Sequence, residues 1–287
     1  MPSLKEIRNR ITSVGSTMQI TSAMKMVSAA KLKRAQDAIV QMRPYSVKLQ
    51  EILGNLSATL DLSENAYSEV RTEGKTLIIG ITSNRGLCGG FNNYAIKRVN
   101  ALVLQYPDAK VLCLGKKIKD VTKKTPHYYI NDVIEPIEDI FANLSFETIS
   151  TIAGDVMNRF INKEFDKVFI VYNRFVNAAT QVVETEQLLP IVPTVSASTS
   201  TGDYIFEPSK TEIVEDLIPK TLKIQLFKAV LDSYAAEHGA RMTAMHKATD
   251  NANELQKALK LSYNKARQAA ITNEILEIVG GAEALNA

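Results

Sequence analysis

The fold of this 287-residue chain is decided by residues 219–279, which read PKTLKIQLFKAVLDSYAAEHGARMTAMHKATDNANELQKALKLSYNKARQAAITNEILEIV. After Pro219 the stretch holds no further proline, and Gly239 is its single weak point for a helix. From Ile224 onward, apolar or small side chains return at steps of three and four, which is the spacing of a coiled-coil seam. The predicted seam residues are Phe227, Leu231, Ala235, His238, Met242, Met245, Thr249, Ala252, Leu255, Leu259, Ser262, Ala266 and Ala269.

A helix over this stretch is about 90 Å long at about 1.5 Å per residue, so most of it must project from any compact domain. A projecting helix with an apolar seam requires a partner helix, and the N-terminus repeats the same spacing. The seam residues there are Leu4, Ile7, Ile11, Val14, Met18, Thr21, Met24, Ser28, Leu32, Ala35, Ile39 and Met42. The sequence therefore predicts an intramolecular antiparallel pair, kept thin by the many Ala, Ser and Thr residues in both seams.

Capping signals and prolines bound these helices. Two sites have Ser followed three residues later by Glu, the pattern of a capping box: Ser3 with Glu6, and Ser209 with Glu212. Pro44 is expected to kink or interrupt the first helix, because proline removes a backbone hydrogen bond. The apolar register resumes after it, which extends that helix to about residue 60. Pro219 is expected to bend or restart the last helix.

The middle of the chain changes to short continuous apolar runs, which are typical of strands buried on both faces. Strands are predicted at residues 76–82, 110–115, 166–172 and, as an edge strand, 176–186. Helices are predicted at residues 92–106 and 145–163, the second with Ser145 as its cap. The passage through Pro126 and Pro136 is expected to be irregular. This alternation predicts a small α/β domain with parallel strands.

The predicted fold class is α/β: a long antiparallel coiled coil of N- and C-terminal helices with an inserted Rossmann-like α/β domain. We expect an N-terminal coiled-coil helix over residues 1–60, the α/β domain over residues 75–193, and a C-terminal coiled-coil helix over residues 209–287. Residues 194–203 are polar and small, which predicts a linker.

Charge is unevenly distributed along the chain. The net charge is +3, but the first fifty residues carry nine Lys or Arg against Glu6 and Asp37. A basic first helix fits nucleic acid, an anionic membrane, an acidic protein partner, or a plain solvated face. Nucleic acid is the weaker reading, because no aromatic residues or reading motif accompany the charges. No apolar run is long enough to span a bilayer and the N-terminus lacks a signal sequence, so we expect a cytoplasmic protein, at most at a membrane surface.

The sequence offers little catalytic chemistry. The glycine-rich loop 83–91 precedes a helix, but it matches neither the dinucleotide pattern nor the phosphate-loop pattern, so a tight strand-to-helix turn is favoured over a nucleotide site. Cys88 and Cys113 are not at metal or redox spacing and are expected to be buried, reduced thiols. His238 and His246 are more readily explained by helix register than by metal or pH sensing. We predict no catalytic residue, no metal site and no cofactor.

Three stretches together resemble the gamma subunits of F-type ATP synthases of the bacterial type. They are ITSAMKMVSAAKLKRAQ at 20–36, SNRGLCGGFN at 83–92 and YNKARQAAITNEILEIVGGAEAL at 263–285. Asn84 departs from the Asp that is usual in the family. The resemblance implies a non-catalytic rotor shaft inside a ring of three alpha and three beta subunits, with the α/β domain near epsilon and the membrane-embedded c-ring. It also implies a peripheral position on the cytoplasmic face of the bacterial inner membrane.

The resemblance, with the exposed basic cluster of the first helix, suggests residues that contact the beta subunits: Met24, Lys25, Lys31, Lys33, Arg34, Arg241, Gln268, Thr272 and Glu274. Two rival interpretations remain, an enzyme built on the α/β domain and a coiled-coil scaffold or cytoskeletal linker. Nucleotide binding by the isolated chain favours the enzyme, and homodimerisation through the long helices favours the scaffold.

Overall fold

A computed structural model describes residues 3–59, 66–71, 74–130, 140–141, 144–191 and 210–286. Its elements, in chain order, are α1 (Leu4–Thr59), β1 (Thr76–Ile81), α2 (Phe91–Gln105), β2 (Lys110–Leu114), α3 (Lys116–Thr122), β3 (Tyr128–Tyr129), α4 (Phe146–Ile161), β4 (Lys167–Phe175), β5 (Gln181–Leu189) and α5 (Lys210–Asn286). The chain divides into two compact units, one of residues 1–27 with 242–287 and one of residues 28–241. The domain bounds drawn from the sequence stay a prediction.

In the first unit, the start of α1 packs antiparallel against the second half of α5. The Thr21 and Thr249 hydroxyls lie 2.8 Å apart, and the Arg8 guanidinium donates to the Tyr263 hydroxyl at 2.7 Å. Residue numbers therefore rise on one helix as they fall on the other. The predicted antiparallel pairing of the two terminal helices is confirmed.

The predicted seam is right for α1, where every predicted residue is buried or half-buried. On α5 it is right through Ala252 and wrong at three later positions, because Leu255, Ser262 and Ala269 are exposed. The residues that turn inward there are Gln256, Leu259, Tyr263, Ala266 and Ala270, all half-buried. After Ala252 the predicted stripe steps by three to Leu255 where the helix steps by four to Gln256, and the same one-residue offset returns at Ser262 and Ala269.

Gly15 explains how a glutamine enters the seam. A Cβ at Gly15 would lie 3.0 Å from the Gln256 amide nitrogen, so the missing side chain makes room for Gln256. The cost of glycine within a helix is about 0.5 to 1 kcal/mol relative to alanine, which close helix approach offsets.

In the second unit, five strands form one sheet in the order β3-β2-β1-β4-β5, parallel except for β5. β1 lies at the centre and is buried along its whole length. One sheet face packs Leu77 and Ile79 against α4 and α5, and the other packs Ile78 and Val111 against α2 and α3. Alternate residues of a strand serve opposite faces, which explains the continuous apolar runs. The predicted Rossmann-like α/β domain is confirmed.

Three local predictions need correction. The passage around Pro126 is not irregular throughout, since α3 and the two-residue β3 lie in it; both are too short to give a periodic signal. β5 begins at Gln181, later than the predicted edge strand. The assigned helices run without a break through Pro44 and Pro219. Ile218 and Leu222 are about 1% and 2% exposed in the core, and this burial offsets the lost hydrogen bond.

The caps of two helices form as predicted. The Glu6 backbone N–H donates to Ser3 Oγ at 3.3 Å, and the Thr148 N–H donates to Ser145 Oγ at 3.3 Å. The predicted cap at Ser209, the linker over residues 194–203 and Pro136 lie outside the described residues.

Candidate partner-binding surfaces

The predicted contact residues of the first unit differ in how far they are exposed. Gln268, Thr272 and Glu274 are exposed, and Met24 and Lys25 are half-buried. The Lys25 ammonium lies 3.4 Å from a ring nitrogen of His246, which it reaches across the pair. Gln268, Thr272 and Glu274 therefore lie on the outer surface of the pair, where a partner beside the helices can reach them.

The end of α5 is apolar and uncovered. Every residue from 271 to 282 is exposed in the described structure, including Ile271, Ile275, Leu276, Ile278 and Val279. Ile278 is 71% exposed and Leu276 62% exposed. Sequence reasoning missed this surface, although apolar residues at 275, 276, 278 and 279 fall on more than one side of a helix and do not fit a single seam.

The basic cluster of the second unit also points to solvent. Lys31, Lys33 and Arg34 are exposed, and Lys33 pairs with Asp37 one turn on at 2.8 Å. Because both partners are more than half exposed, this pair contributes little to folding. The cluster is free to meet an acidic partner.

Arg241 lies in a different environment, with only about 7% of its surface exposed. Its guanidinium pairs with Glu237 at 2.5 Å and donates to the backbone oxygens of Arg85 and Gly86 at 3.0 and 3.3 Å. Arg241 thus binds the loop that follows β1 to helix α5. Burial raises the pKa of Glu237, and Arg241 opposes that shift. A guanidinium can serve two carbonyls and a carboxylate at once because its donors lie in a planar fork.

Side chains inside the same loop fix its base. The Ser83 backbone N–H and hydroxyl both approach Asn92 Oδ1 at 3.0 Å, and Asn92 Nδ2 donates to the Cys88 sulfur at 3.1 Å. Asn84 Oδ1 accepts the backbone N–H of Lys116 at 3.0 Å, at the start of α3. An aspartate oxygen can accept this bond equally well, so Asn84 keeps the structural role of the usual residue.

The tip of the loop is strained and apolar. Leu87 has φ 65 and Gly89 has φ 59, both in the left-handed region that costs most side chains energy. The Leu87 side chain is nevertheless 64% exposed, so its own packing does not stabilise that conformation. The buried bonds of Arg241 and Asn92 hold the loop instead. An apolar side chain presented in this way marks Leu87 as a contact candidate that the sequence did not single out.

The glycine-rich loop has the geometry of a structural turn. The N–H groups of Thr82, Ser83, Phe91 and Tyr94 all donate to protein oxygens, which leaves them unavailable to a phosphate. Cys88 is buried and free, and burial raises its pKa. The predicted strand-to-helix turn thus joins β1 to α2.

His238 lies beside Arg241 and is about 5% exposed. Its ring meets Tyr234 edge-on at 4.5 Å, and its Nδ1 lies 3.5 Å from the Arg241 guanidinium. Its Nε2 has no hydrogen-bond partner among the described residues. Burial, with Arg241 and Lys31 nearby, lowers the pKa of His238 to about 3. The ring is therefore neutral at physiological pH.

Across the described part of the chain, no group of three or more His, Cys, Asp or Glu residues is arranged to hold a metal ion. In the same residues, no helix is both long and apolar enough to cross a membrane. The surfaces with structural support are an uncovered apolar helix end, an exposed basic cluster and a clamped apolar loop. Exposed apolar surfaces of this size are typical of proteins that bind other proteins, which indicates a helical subunit of a larger assembly.

Comparison with known proteins identifies the assembly. A family model described as ATP synthase matches residues 3–285. The ATP synthase gamma chain of Flavobacterium johnsoniae is 60% identical over 290 residues and covers 100% of both chains. A chain from the Tetrahymena thermophila mitochondrial ATP synthase central stalk and c-ring structure is 26% identical, has a TM-score of 0.58, and covers 80% of this chain and 99% of that one. A chain from the Euglena gracilis mitochondrial ATP synthase is 23% identical with a TM-score of 0.64, covers 98% of this chain and 94% of that one, and shows the same fold.

This chain belongs to the ATP synthase gamma chain family. It is a non-catalytic subunit of that complex and its central rotor shaft. The resemblance drawn from the three sequence stretches is confirmed, and the enzyme and scaffold readings are set aside.

Proposed function

We propose that the two long helices turn inside a ring of three alpha and three beta subunits and engage the beta subunits through defined residues. Those residues are Met24, Lys25, Lys31, Lys33, Arg34, Arg241, Gln268, Thr272 and Glu274. The observation that carries this proposal is the uncovered apolar end of α5. Covering a large apolar side chain contributes about 1.5 to 3 kcal/mol, so five such side chains on one helix favour a protein sleeve over water.

The contact residues differ in how they act. Gln268, Thr272 and Glu274 lie on the same stretch of α5 as the apolar end, so they meet the sleeve directly. The Arg241 guanidinium already binds the Glu237 carboxylate and two loop carbonyls. Its contribution is to hold the loop that presents Leu87, and Leu87 makes the contact.

An asymmetric shaft gives each catalytic site a different neighbour. The beta subunit that meets the basic cluster is in a different environment from one that meets the polar face of α5. As the shaft turns, each site passes through each environment in sequence, and its nucleotide affinity changes accordingly. This is a coupling free energy between distant sites, applied mechanically.

The α/β unit is proposed to bind epsilon and the c-ring, with the complex on the cytoplasmic face of the bacterial inner membrane. Family membership supports this position, as does a relative whose structure is described as central stalk and c-ring. The chain is proposed to hold no cofactor of its own.

The test is co-expression with the alpha and beta subunits, followed by affinity purification through a tag on this chain. We expect one copy to co-purify with three alpha and three beta subunits, and ATP to drive rotation of a probe fixed to the α/β unit. A stable homodimer without alpha and beta would contradict the proposal. Micromolar ATP binding to the isolated chain, measured by calorimetry, would contradict the non-catalytic role.

A second experiment tests the sleeve. Ile275→Glu with Ile278→Glu places two charges where apolar cover is expected and lowers the net charge by two. Lys260→Gln with Lys265→Gln makes the same change in net charge at exposed polar positions of the same helix. The isoleucine variant should dissociate from alpha and beta at a lower temperature than the lysine variant. Equal dissociation temperatures would show that the end of α5 is not enclosed.

A further inference from the structure

A small polar cavity lies within the second unit, where α1, β5 and α5 meet. Its volume is about 240 Å³, and every residue that lines it belongs to the described part of the chain. None of these residues is a proposed contact to the beta subunits. The cavity is therefore a feature separate from the partner-binding surfaces.

The spacing of the residues explains how three elements build one cavity. α5 contributes Thr221, Ile224, Gln225 and Lys228. These four positions are three, four and seven residues from the first, which places them on one face of the helix. α1 adds Ser46 and Leu49, three positions apart, and β5 adds Glu186. The lining thus combines an ammonium, a carboxylate, an amide, two hydroxyls and two apolar side chains.

The two charged side chains of the lining do not pair with each other. The Glu186 carboxylate accepts hydrogen bonds from the Tyr172 hydroxyl at 2.5 Å and from the Gln225 amide at 3.4 Å. Each carboxylate oxygen has room for a second donor, so Glu186 can also accept bonds from a ligand. The Lys228 side chain is half-buried and forms no hydrogen bond or ion pair with the described residues.

The other charged groups nearby do not change this arrangement. Asp232 lies one turn beyond Lys228 on α5, and the two charges attract each other without forming an ion pair. Glu184 binds Arg174, which neutralises that carboxylate. Lys228 has therefore lost part of its hydration and has no bonded partner in exchange, a state that a ligand carboxylate would relieve.

A ligand with a single charge fits this cavity poorly. A simple anion bound to Lys228 would also meet the Glu186 carboxylate, and a simple cation bound to Glu186 would meet the Lys228 ammonium. A metal ion fits poorly as well, because the lining holds one carboxylate and no His or Cys. The ligand that matches both walls carries both charges.

The geometry points to a binding site for a small zwitterion with one ammonium and one carboxylate, the chemical class of the aliphatic amino acids. The ligand carboxylate accepts from Lys228 and the ligand ammonium donates to Glu186, which gives a charge-assisted hydrogen bond at each end. Leu49 and Ile224 are buried, and they supply an apolar wall for the carbon skeleton.

The volume of the cavity agrees with a ligand of this size. It is several times the ~30 Å³ that one water molecule occupies in the liquid. It is smaller than the pockets of about 300 to 1,000 Å³ that hold drug-sized molecules. An amino acid with a short aliphatic side chain lies between these limits.

The experiment measures binding to the purified full-length chain by calorimetry and by ligand-observed NMR. The probe is L-valine, which carries both charges on an aliphatic skeleton. Two compounds of similar shape each lack one charge: 3-methylbutanoate has no ammonium, and isobutylamine has no carboxylate. The site does not depend on the proposed contacts to alpha and beta subunits, so assembly of the complex is not part of this test.

Three variants test the lining. Lys228→Gln and Glu186→Gln each remove one charge, and the second keeps an oxygen that can accept the Tyr172 bond. Ser46→Leu leaves both charges in place and fills the cavity. The matched controls are Lys223→Gln, at a half-buried lysine of the same helix, and Glu147→Gln, at an exposed glutamate of α4; neither residue lines the cavity. Circular dichroism checks that each variant is folded.

We expect L-valine to bind saturably, and each single-charge compound to bind at least about tenfold more weakly, because it lacks one charge-assisted hydrogen bond. Lys228→Gln and Glu186→Gln should each weaken valine binding by about tenfold or more for the same reason. Ser46→Leu should abolish binding, and both control variants should bind like the wild type.

Three results would overturn the proposal. If valine shows no saturable binding at millimolar concentration, the cavity holds water only. Equal affinity for valine and 3-methylbutanoate would indicate a simple anion site at Lys228. Binding that persists unchanged in Lys228→Gln and Ser46→Leu, or that is lost equally in Lys223→Gln, would show that the ligand lies outside this cavity.

Discussion

Replacing His238 should change how the stability of this chain depends on pH. In the folded chain the pKa of His238 is lowered to about 3, because the ring is buried and lies near Arg241 and Lys31. In the unfolded chain the pKa of His238 returns to its ordinary value of 6.5. As pH falls below 6.5, the unfolded state binds a proton that the folded state does not, so folding stability from this group is lost as the solution becomes acidic.

The size of this loss follows from the two pKa values. Between pH 7 and pH 5, His238 removes about 2 kcal/mol of folding stability. Asp232 acts in the opposite direction, because burial and then Glu186 and Glu184 raise its pKa to about 6, against Lys228 and Arg174. As the pH falls, Asp232 takes up a proton in the folded state at a higher pH than in the unfolded state. This adds about 1 kcal/mol of folding stability between pH 7 and pH 5. In the wild type, His238 and Asp232 together should therefore make the folding stability depend only slightly on pH.

His238→Phe removes the titrating group and keeps an aromatic ring against Tyr234. Urea unfolding of the purified chain, followed by circular dichroism at pH 7, 6 and 5, should show the variant gaining about 2 kcal/mol relative to the wild type at pH 5. His238→Leu is the control for packing, since it removes the same proton with a different shape. Asp232→Asn removes the opposing group, so the stability of this variant should fall more steeply towards pH 5 than that of the wild type. Parallel pH curves for wild type and both His238 variants would refute the argument.

Two further experiments test the seam of the helix pair and the basic cluster of the first helix. Ala266→Phe should overpack the half-buried seam and destabilise the helix pair by about 1 to 3 kcal/mol. Ala269→Phe is the control, because Ala269 lies on the exposed side, and it should leave the melting temperature unchanged. Similar shifts in melting temperature for both variants would contradict the observed seam. Replacing Lys31, Lys33 and Arg34 together by Glu should preserve helical content in circular dichroism, because the three side chains are exposed. In vesicles with its partners this triple variant should hydrolyse ATP with less ion pumping per ATP, most clearly at low salt, and wild-type coupling at every salt concentration would show that the cluster is a solvated face.

Much of the fold was predictable because burial imposes a period on the sequence. The continuous run from Thr76 to Ile81 could only be a strand buried on both faces, and it became the central strand of the sheet. The first-helix seam was right at every predicted position from Leu4 to Met42, where apolar or small side chains mark the inward face throughout. On the last helix the seam failed at Leu255, Ser262 and Ala269, because the choice between Leu255 and Gln256 depends on the space that Gly15 leaves.

The candidate site was less accessible to sequence reasoning. Arg241 and Arg85 are 156 positions apart, and a guanidinium bonded to a backbone carbonyl leaves no pattern in residue types. The apolar end of α5 did leave a signal, namely apolar residues that exceed one seam. Interpreting it required the structure, in which these apolar residues are exposed.

Residues with unusual burial, hydrogen bonding or backbone conformation are concentrated where α5 meets the loop after β1. A buried ion pair of Arg241 and Glu237, an unsatisfied nitrogen on His238 and a left-handed Leu87 all lie at this junction. Such features add little net stability, since the cost of burying two charges roughly cancels their attraction. Glu237 and Arg241 both lie on α5, so a slide of that helix would move the pair intact. The same slide would break the hydrogen bonds from Arg241 to the Arg85 and Gly86 carbonyls and leave a buried guanidinium with fewer partners. These two bonds therefore favour one register of α5 against the loop, which apolar packing alone specifies less strictly.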